Sequence, residues 1–330
     1  MEQFVFGRTG LNVSRLTFGC GAVGGLMTKG AAADQDNAVA WARDNGINFF
    51  DTAASYGNGA SETNLGRALN GNTDGLVIST KVGLMDQDLS DIAGTVARSL
   101  DASLSRLKLD HVDLIQLHNT IGEKDRHGTL HADQVLADVI PAFEKLRTSG
   151  KARFLGFTAK GDPNQLHQLV QSDAFDSAQI FYNLLVPTAG EATAIDYPAD
   201  DYAQLLHASR EHGVGAIGVR VLAGGALSGK EARHPLGMPQ VAPIGSDTTY
   251  AGDVQSAHRF QSLIDDGFAA TLPELATRYT ISNPMLPTIE VGIATLEELQ
   301  LAAAAVNLGP LPQPALEAIK KIQAQLSHSN

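Results

Sequence analysis

An aspartate and a tyrosine, Asp51 and Tyr56, stand just beyond the short apolar run Phe49-Phe50, where the chain passes into Gly57-Asn58-Gly59. Two further side chains close β-like apolar runs: Lys81 ends Val77-Ile78-Ser79-Thr80, and His118 follows Val112-Asp113-Leu114-Ile115-Gln116-Leu117. A phenol, an ammonium, a carboxylate and an imidazole brought together form a proton-transfer set. Alone, Asp51 reads as a helix cap and His118 as a satisfied core histidine. Lys81 is harder to dismiss, because an ammonium ending a buried strand must meet an anion or water. The four converge only if their strands are neighbours that end on one side.

The rest of the chain supplies such strands. Apolar runs span Arg15–Cys20, Asn48–Asp51, Leu76–Lys81, Val112–His118, Arg153–Phe157, Ala178–Tyr182, Gly215–Val219 and Thr288–Val291. Between them, patterns of helical period cover Ala33–Asn45, Ser61–Leu69, Asp91–Leu107, Ala132–Thr148, Pro163–Gln171, Asp200–Glu211 and Leu272–Ile281, with Leu296–Val306 after the last strand. Alternation of this kind predicts a parallel sheet covered by helices. Eight units close into a (β/α)8 TIM barrel, whereas a doubly wound sheet wants fewer strands and an early phosphate-binding turn. The expectation is one barrel domain over 1–330, with an N-terminal β-hairpin (Phe4–Phe6 and Asn12–Ser14 about Gly10) plugging the floor. The segment Pro310–Ser327 reads as a connector and an extra amphipathic helix carrying Leu316, Ile319 and Ile322. Ser61 and Thr295 are expected N-caps, and Gly150 and Gly213 expected C-caps. Two long irregular stretches, Ile121–Leu130 and Ser228–Asp253, follow strands four and seven and so overhang the end where the four groups meet, as functional loops or as surface insertions.

Composition narrows the class. A formal net charge of −12 argues against a broad nucleic-acid or anionic-membrane surface. The single cysteine, Cys20, cannot form an intrachain disulfide, no spaced Cys/His cluster suggests a metal, and neither a leader nor a membrane-spanning run is evident. A protein of the reducing cytoplasm, without polyanionic partners, is the expectation.

Taken in order, Phe6-Gly7-Arg8-Thr9-Gly10, Asp51-Thr52-Ala53 with Tyr56-Gly57, Ser61-Glu62 and Leu65-Gly66, Thr80-Lys81, and Gln116-Leu117-His118 resemble the aldo-keto reductase superfamily, from the hairpin to the last barrel unit. The resemblance implies hydride transfer between a nicotinamide cofactor, NAD or NADP, and a carbonyl or alcohol substrate, with Asp51, Tyr56, Lys81 and His118 as the catalytic tetrad. Tyr56 gives the proton, Lys81 favours its phenolate, Asp51 holds Lys81, and His118 donates to the carbonyl oxygen. On the cofactor side it implies contacts from Gln179 to the nicotinamide carboxamide and from Thr158, which takes the place of a serine whose usual asparagine neighbour is here Ala159. The run after strand seven contributes Val219, where many relatives stack an aromatic, with Arg220 and Leu222. Gly224, Gly225 and Lys230 follow in a loop whose backbone N–H groups can approach a diphosphate. After strand eight, Gly292 and Glu298 stand where NADP-preferring relatives carry basic residues, which favours NAD or use of both cofactors.

Other readings stay open from the sequence. Superfamily members associated with channels keep the barrel and the nucleotide, so a nicotinamide-binding interaction subunit with little turnover is one. A metal-dependent barrel hydrolase using Asp51 and His118 is another, unsupported by any His-X-His strand motif. For the substrate, Gly83 leaves a roomy pocket lined by Leu84, Met85, Phe181 and Tyr182, with Lys124, Arg126 and His127 placed to meet polar oxygens.

Overall fold

The computed structural model describes residues 1–123, 127–243, 245–246 and 249–326. Eight parallel strands close into a barrel: β1 (Leu16–Gly19), β2 (Phe49–Asp51), β3 (Val77–Val82), β4 (Val112–Leu117), β5 (Ala152–Ala159), β6 (Ser177–Phe181), β7 (Gly215–Val219) and β8 (Thr288–Gly292). Each pairs with its neighbours in sequence, and β8 closes on β1. Because side chains alternate along a strand, Phe49 and Asp51 share the interior while Phe50 turns outward with Phe18, their ring centroids 5.3 Å apart. The helices cover that outer layer. In Ile92–Leu107, the buried Val96, Leu100, Leu104 and Leu107 form one helical stripe, each contributing roughly 1.5–3 kcal/mol by burial.

The hairpin, Gln3–Val5 with Asn12–Ser14, lies at the opposite end from the site. Phe6 enters the floor and meets Phe49 edge-on at 5.7 Å. Arg8 ties the plug to the strand starts by donating to the carbonyls of Asp173 (2.6 Å) and Phe175 (2.7 Å) and to Asp176 (3.2 Å). At the far end of the chain, Gln313–Leu326 forms the extra helix, and its buried Gln323 donates to the Leu184 carbonyl at 2.9 Å.

Three local expectations are corrected. Ser61 is not an N-cap: the helix Ala60–Leu69 starts from Gly59 in a left-handed conformation, and the Ser61 hydroxyl lies inside it, donating to the Cys20 carbonyl at 2.9 Å. The helix expected from Asp200 begins at Leu205, because Ala203 and Gln204 take left-handed φ values of 47° and 57° that stop helical propagation. Within the helical run that ends at Ile140–Thr148, Val135–Val139 widens into a π-turn, since Pro141 has no N–H to return to the preceding turn. Thr295 caps Leu296–Asn307 as expected, and Gly150 and Gly213 are left-handed.

Of the two long loops, the first pairs Thr120–Ile121 with Thr129–Leu130; Lys124 and Arg126 lie outside the described residues, and His127 is exposed beside Asp86. The second reaches back over the end of β8 to the segment after β1, where Met238 N–H donates to the Ala22 carbonyl (3.2 Å) and Arg233 to that of Val23 (3.3 Å). An irregular segment from Tyr182 to Gln204, after β6, carries no such forecast. It is held by Gln204 N–H to the Thr188 carbonyl at 2.9 Å and Tyr197 hydroxyl to the Leu185 carbonyl at 3.1 Å.

Candidate active site

Strand register brings the acid and the lysine together. Asp51 on β2 is level with Ser79 on β3, and Lys81, one pleat further along, is level with Gln116 on β4. All four side chains face the interior, and Asp51 collects their donors. One carboxylate oxygen accepts from Ser79 Oγ (2.7 Å) and Gln116 Nε2 (2.9 Å); the other accepts from Lys81 Nζ and from Gln179 Nε2 (3.1 Å). Lys81 also donates to the Thr52 carbonyl at 2.8 Å. Both members of the pair are fully covered. Burial by itself pushes the Lys81 pKa down, but the charge of Asp51 and the hydrogen bond to it oppose that and hold the ammonium above its ordinary range.

Tyr56 sits over this pair, with Lys81 Nζ 4.8 Å from its ring centroid. Its pKa is pushed up to about 12 by burial, countered by the charge of Lys81 and a hydrogen bond from it. The sequence expectation weighted Lys81 alone; desolvation is the larger effect, so in the free protein Tyr56 is a neutral phenol and suits the role of acid. His118 meets Tyr56 edge-on at 5.7 Å, its Nδ1 3.5 Å from Ser55 Oγ. Burial, then the charge of Lys81, lower its pKa to about 4, so at neutral pH it is an uncharged imidazole with one N–H to donate. The loop carrying Tyr56 is anchored through the next helix: Thr80 donates to the buried Glu62, which also accepts from Arg106 Nε at 2.6 Å.

The remaining predicted residues fall into three groups. Thr158 and Gln179 belong to the interior network: Thr158 Oγ1 donates to Gln179 Oε1 at 3.1 Å, and Gln179 Nε2 bridges Asp51 and Glu290. With both N–H groups used inward, Gln179 has only its carbonyl oxygen for a ligand. Val219, Arg220, Leu222, Gly224, Gly225 and Lys230 follow β7, where Ala223, Gly224 and Gly225 take φ values of 46°, 70° and 112°. A Cβ on Gly224 would come within 2.8 Å of an Arg220 nitrogen, and one on Gly225 within 3.0 Å of an Arg233 nitrogen, so the backbone there lies against two guanidiniums. Arg220 is part-buried with no hydrogen bond or ion pair from its side chain among the described residues, and burial lowers its pKa. Glycine backbone beside a guanidinium without a partner fits a diphosphate. Finally, Gly292 is exposed, and Glu298 folds back so that its carboxylate accepts from Ala294 N–H at 2.7 Å, over the N-terminus of its own helix.

Sequence reasoning missed Glu290, whose only signal was a lone charge inside the apolar run Thr288–Val291. It also left Ser79 without a role and overlooked Arg106. Among the described residues there is no group of three His, Cys, Asp or Glu side chains able to hold a metal ion, and no helix long and apolar enough to cross a membrane.

Comparison with known proteins adds the family. The model of the Aldo/keto reductase family matches residues 15–324. An L-galactose dehydrogenase from Arabidopsis thaliana is 30% identical over 314 residues, covering 93% of this chain and 88% of its own length. A putative voltage-gated potassium channel subunit beta from Schizosaccharomyces pombe is 29% identical over 345 residues, covering 97% of this chain and 92% of its own. Among solved structures, an aldo-keto reductase from Bacillus halodurans in its holo form superposes with a TM-score of 0.73 at 23% identity, covering 98% of this chain and 96% of that one, a likeness of fold.

Proposed function

The chain belongs to the aldo/keto reductase family and is a nicotinamide-dependent oxidoreductase acting between carbonyl and alcohol, and from that premise we propose that it is an NAD-linked sugar dehydrogenase working in the cytoplasm. The observation that carries the catalytic part is the Asp51–Lys81–Tyr56 stack at the C-terminal mouth of the barrel, with neutral His118 beside it. Sugar chemistry is supported by the name of the Arabidopsis relative. It also suits the site: a cyclic sugar hemiacetal carries a C–H whose loss as hydride is assisted by the ring oxygen, and the neighbouring hydroxyl proton is the one Tyr56 must take.

Each group has one task. Bound nicotinamide supplies or accepts the hydride. Tyr56 gives its proton to the substrate oxygen in reduction; in oxidation its hydroxyl first loses that proton to solvent, and the phenolate then takes the one from the substrate hydroxyl, while His118 donates to the same oxygen and orients it. Lys81 lowers the cost of the phenolate, and Asp51 keeps Lys81 charged. Gln179 and Thr158 hold the carboxamide, Arg220, Lys230 and the Gly224–Gly225 backbone hold the diphosphate, and Val219 lies against the ring with less stacking than an aromatic gives. Reduced-nicotinamide absorbance tests the assignment across a panel of aldoses, simple aldehydes and cyclic alcohols. Aldose oxidation with NAD is expected to be the fastest reaction, and rapid aldehyde reduction with no sugar oxidation rejects the substrate class.

NAD is favoured over NADP because the N-terminus of Leu296–Asn307, a natural seat for a phosphate, already holds the Glu298 carboxylate. Glu298→Arg is expected to shift relative affinity toward NADP by about fivefold, on the order of 1 kcal/mol after screening. Wild-type protein that binds NADP more tightly, with a ratio untouched by the substitution, disposes of the NAD preference.

The channel-subunit relative supports a second reading, a nucleotide-binding partner with little turnover. The complete proton-transfer set favours the enzyme. Tight partner binding together with negligible turnover on the panel reverses that order.

A further inference from the structure

Glu290 is a second carboxyl group inside the barrel, and β1 leaves it room. Across three adjacent strands, Gly292 on β8, Gly19 on β1 and Asp51 on β2 are in register. A Cβ on Gly19 would come within 2.8 Å of the Val291 carbonyl oxygen, 2.9 Å of Glu290 Oε1 and 3.0 Å of its Cγ, so glycine there lets both the β8 backbone and the Glu290 side chain lie close against β1. Gln179 Nε2 then bridges the two acids, at 2.9 Å from Glu290 Oε2 and 3.1 Å from Asp51 Oδ2. One lysine faces two carboxyl groups. Lys81 pairs with Asp51, and Glu290 has no ion pair among the described residues.

Glu290 is therefore the acid in this group that most needs a proton. Burial, then the charge of Asp51, raise its pKa well above the usual carboxylate range, with Lys81 and Arg220 opposing. The other titratable groups around it are settled: Lys81 stays an ammonium, Tyr56 is pushed up to about 12, and the buried Cys20 thiol is raised well above its ordinary value. What changes during a reaction cycle is the charge of the cofactor, because an oxidised nicotinamide ring is cationic and a reduced one is neutral.

We propose that Glu290 is a charge-balancing, positioning residue of the nicotinamide subsite: it carries a proton in the free protein and releases it to solvent when an oxidised nicotinamide is seated beside Gln179. This rests on the reading that the barrel mouth binds a nicotinamide dinucleotide. The O–H bond of the Glu290 carboxyl breaks, the proton leaves for water, and the resulting carboxylate faces the cationic ring, so no other reactant is needed. Reduced cofactor brings no positive charge, and Glu290 keeps its proton. The site thereby distinguishes the two oxidation states and favours the oxidised one increasingly as pH rises.

The sign follows from linkage. A step that releases one proton tightens about tenfold for each unit of rising pH while the free protein remains protonated and the complex ionised. The test is calorimetric titration of the full chain with NAD⁺ and with NADH between about pH 6 and 8, in buffers of different ionisation enthalpy. Expected are about one proton released per NAD⁺ bound and none per NADH, with the Kd for NAD⁺ alone falling as pH rises. Glu290→Gln, which keeps an acceptor for Gln179 but has no proton to lose, is expected to abolish both the release and the pH slope. Tyr56→Phe is expected to keep both, which separates Glu290 from the phenol. NAD⁺ binding by the wild type without proton release, or release that persists in Glu290→Gln or vanishes in Tyr56→Phe, overturns the proposal. If neither NAD⁺ nor NADH binds, the NAD-linked reading fails and this inference with it.

Discussion

Replacing Tyr56 by Phe is expected to lower turnover by on the order of 10² to 10⁴ while leaving the affinity for the nicotinamide cofactor within about twofold. The substitution removes one hydroxyl, keeps the ring against which His118 packs at 5.7 Å, and leaves the Asp51–Lys81 pair untouched. What disappears is the proton at the place where the substrate oxygen gains or loses charge. Neutral His118 still donates a hydrogen bond there, which is why a residual rate is expected above the uncatalysed reaction. Steady-state kinetics with the preferred substrate, paired with fluorescence titration of the cofactor, separates the two quantities. Near-normal turnover excludes Tyr56 as proton donor, and a loss confined to cofactor affinity shows a structural role instead.

The four groups were legible because each stands at or just beyond a strand end. A parallel barrel puts all such ends on one face, so an apolar run closed by a polar residue already states where that residue points. The bounds Pro163–Gln171 and Leu272–Ile281 were readable for a related reason, since each opens with a proline in its first turn and an Asp or Thr cap before it. What sequence could not give is what the closed sheet creates. Gln179 meets Asp51 across 128 positions of chain, and Glu290 reaches Asp51 only because β8 closes on β1 and Gly19 lies between. Read locally, Gly19 is another small residue and Glu290 an oddity in a strand. Ser61 was misread for the same reason: its hydroxyl serves Cys20 and Thr52 on other segments, not its own helix end. The left-handed pair Ala203–Gln204 broke an otherwise acceptable helical pattern because Gln204 and Leu206, at the start of the helix, dock through their N–H groups on the carbonyls of Thr188 and Ala189 in the segment after β6, a demand that outweighs propensity.

Asp51→Asn is expected to damage the fold as well as the chemistry, by about 3–5 kcal/mol of unfolding free energy. Asp51 is an acceptor-only group surrounded by donors: Ser79, Gln116, Gln179 and Lys81 all point hydrogens at its two oxygens. An asparagine turns one of those oxygens into a donor, so at least one pair of N–H groups must face each other, and the Lys81 ammonium is left buried without its anion. Lys81→Met has the mirror-image defect, an unpaired buried carboxylate, and is expected to cost a similar amount. Combining the two removes both orphaned charges, so the double variant should lie close to either single one, well short of their sum. Denaturant unfolding of the four proteins measures this directly. If Asp51→Asn is as stable as the wild type, or if the two losses simply add, then the pair does not hold the barrel mouth together, and the charge of Lys81 beneath Tyr56 must be maintained by something other than Asp51.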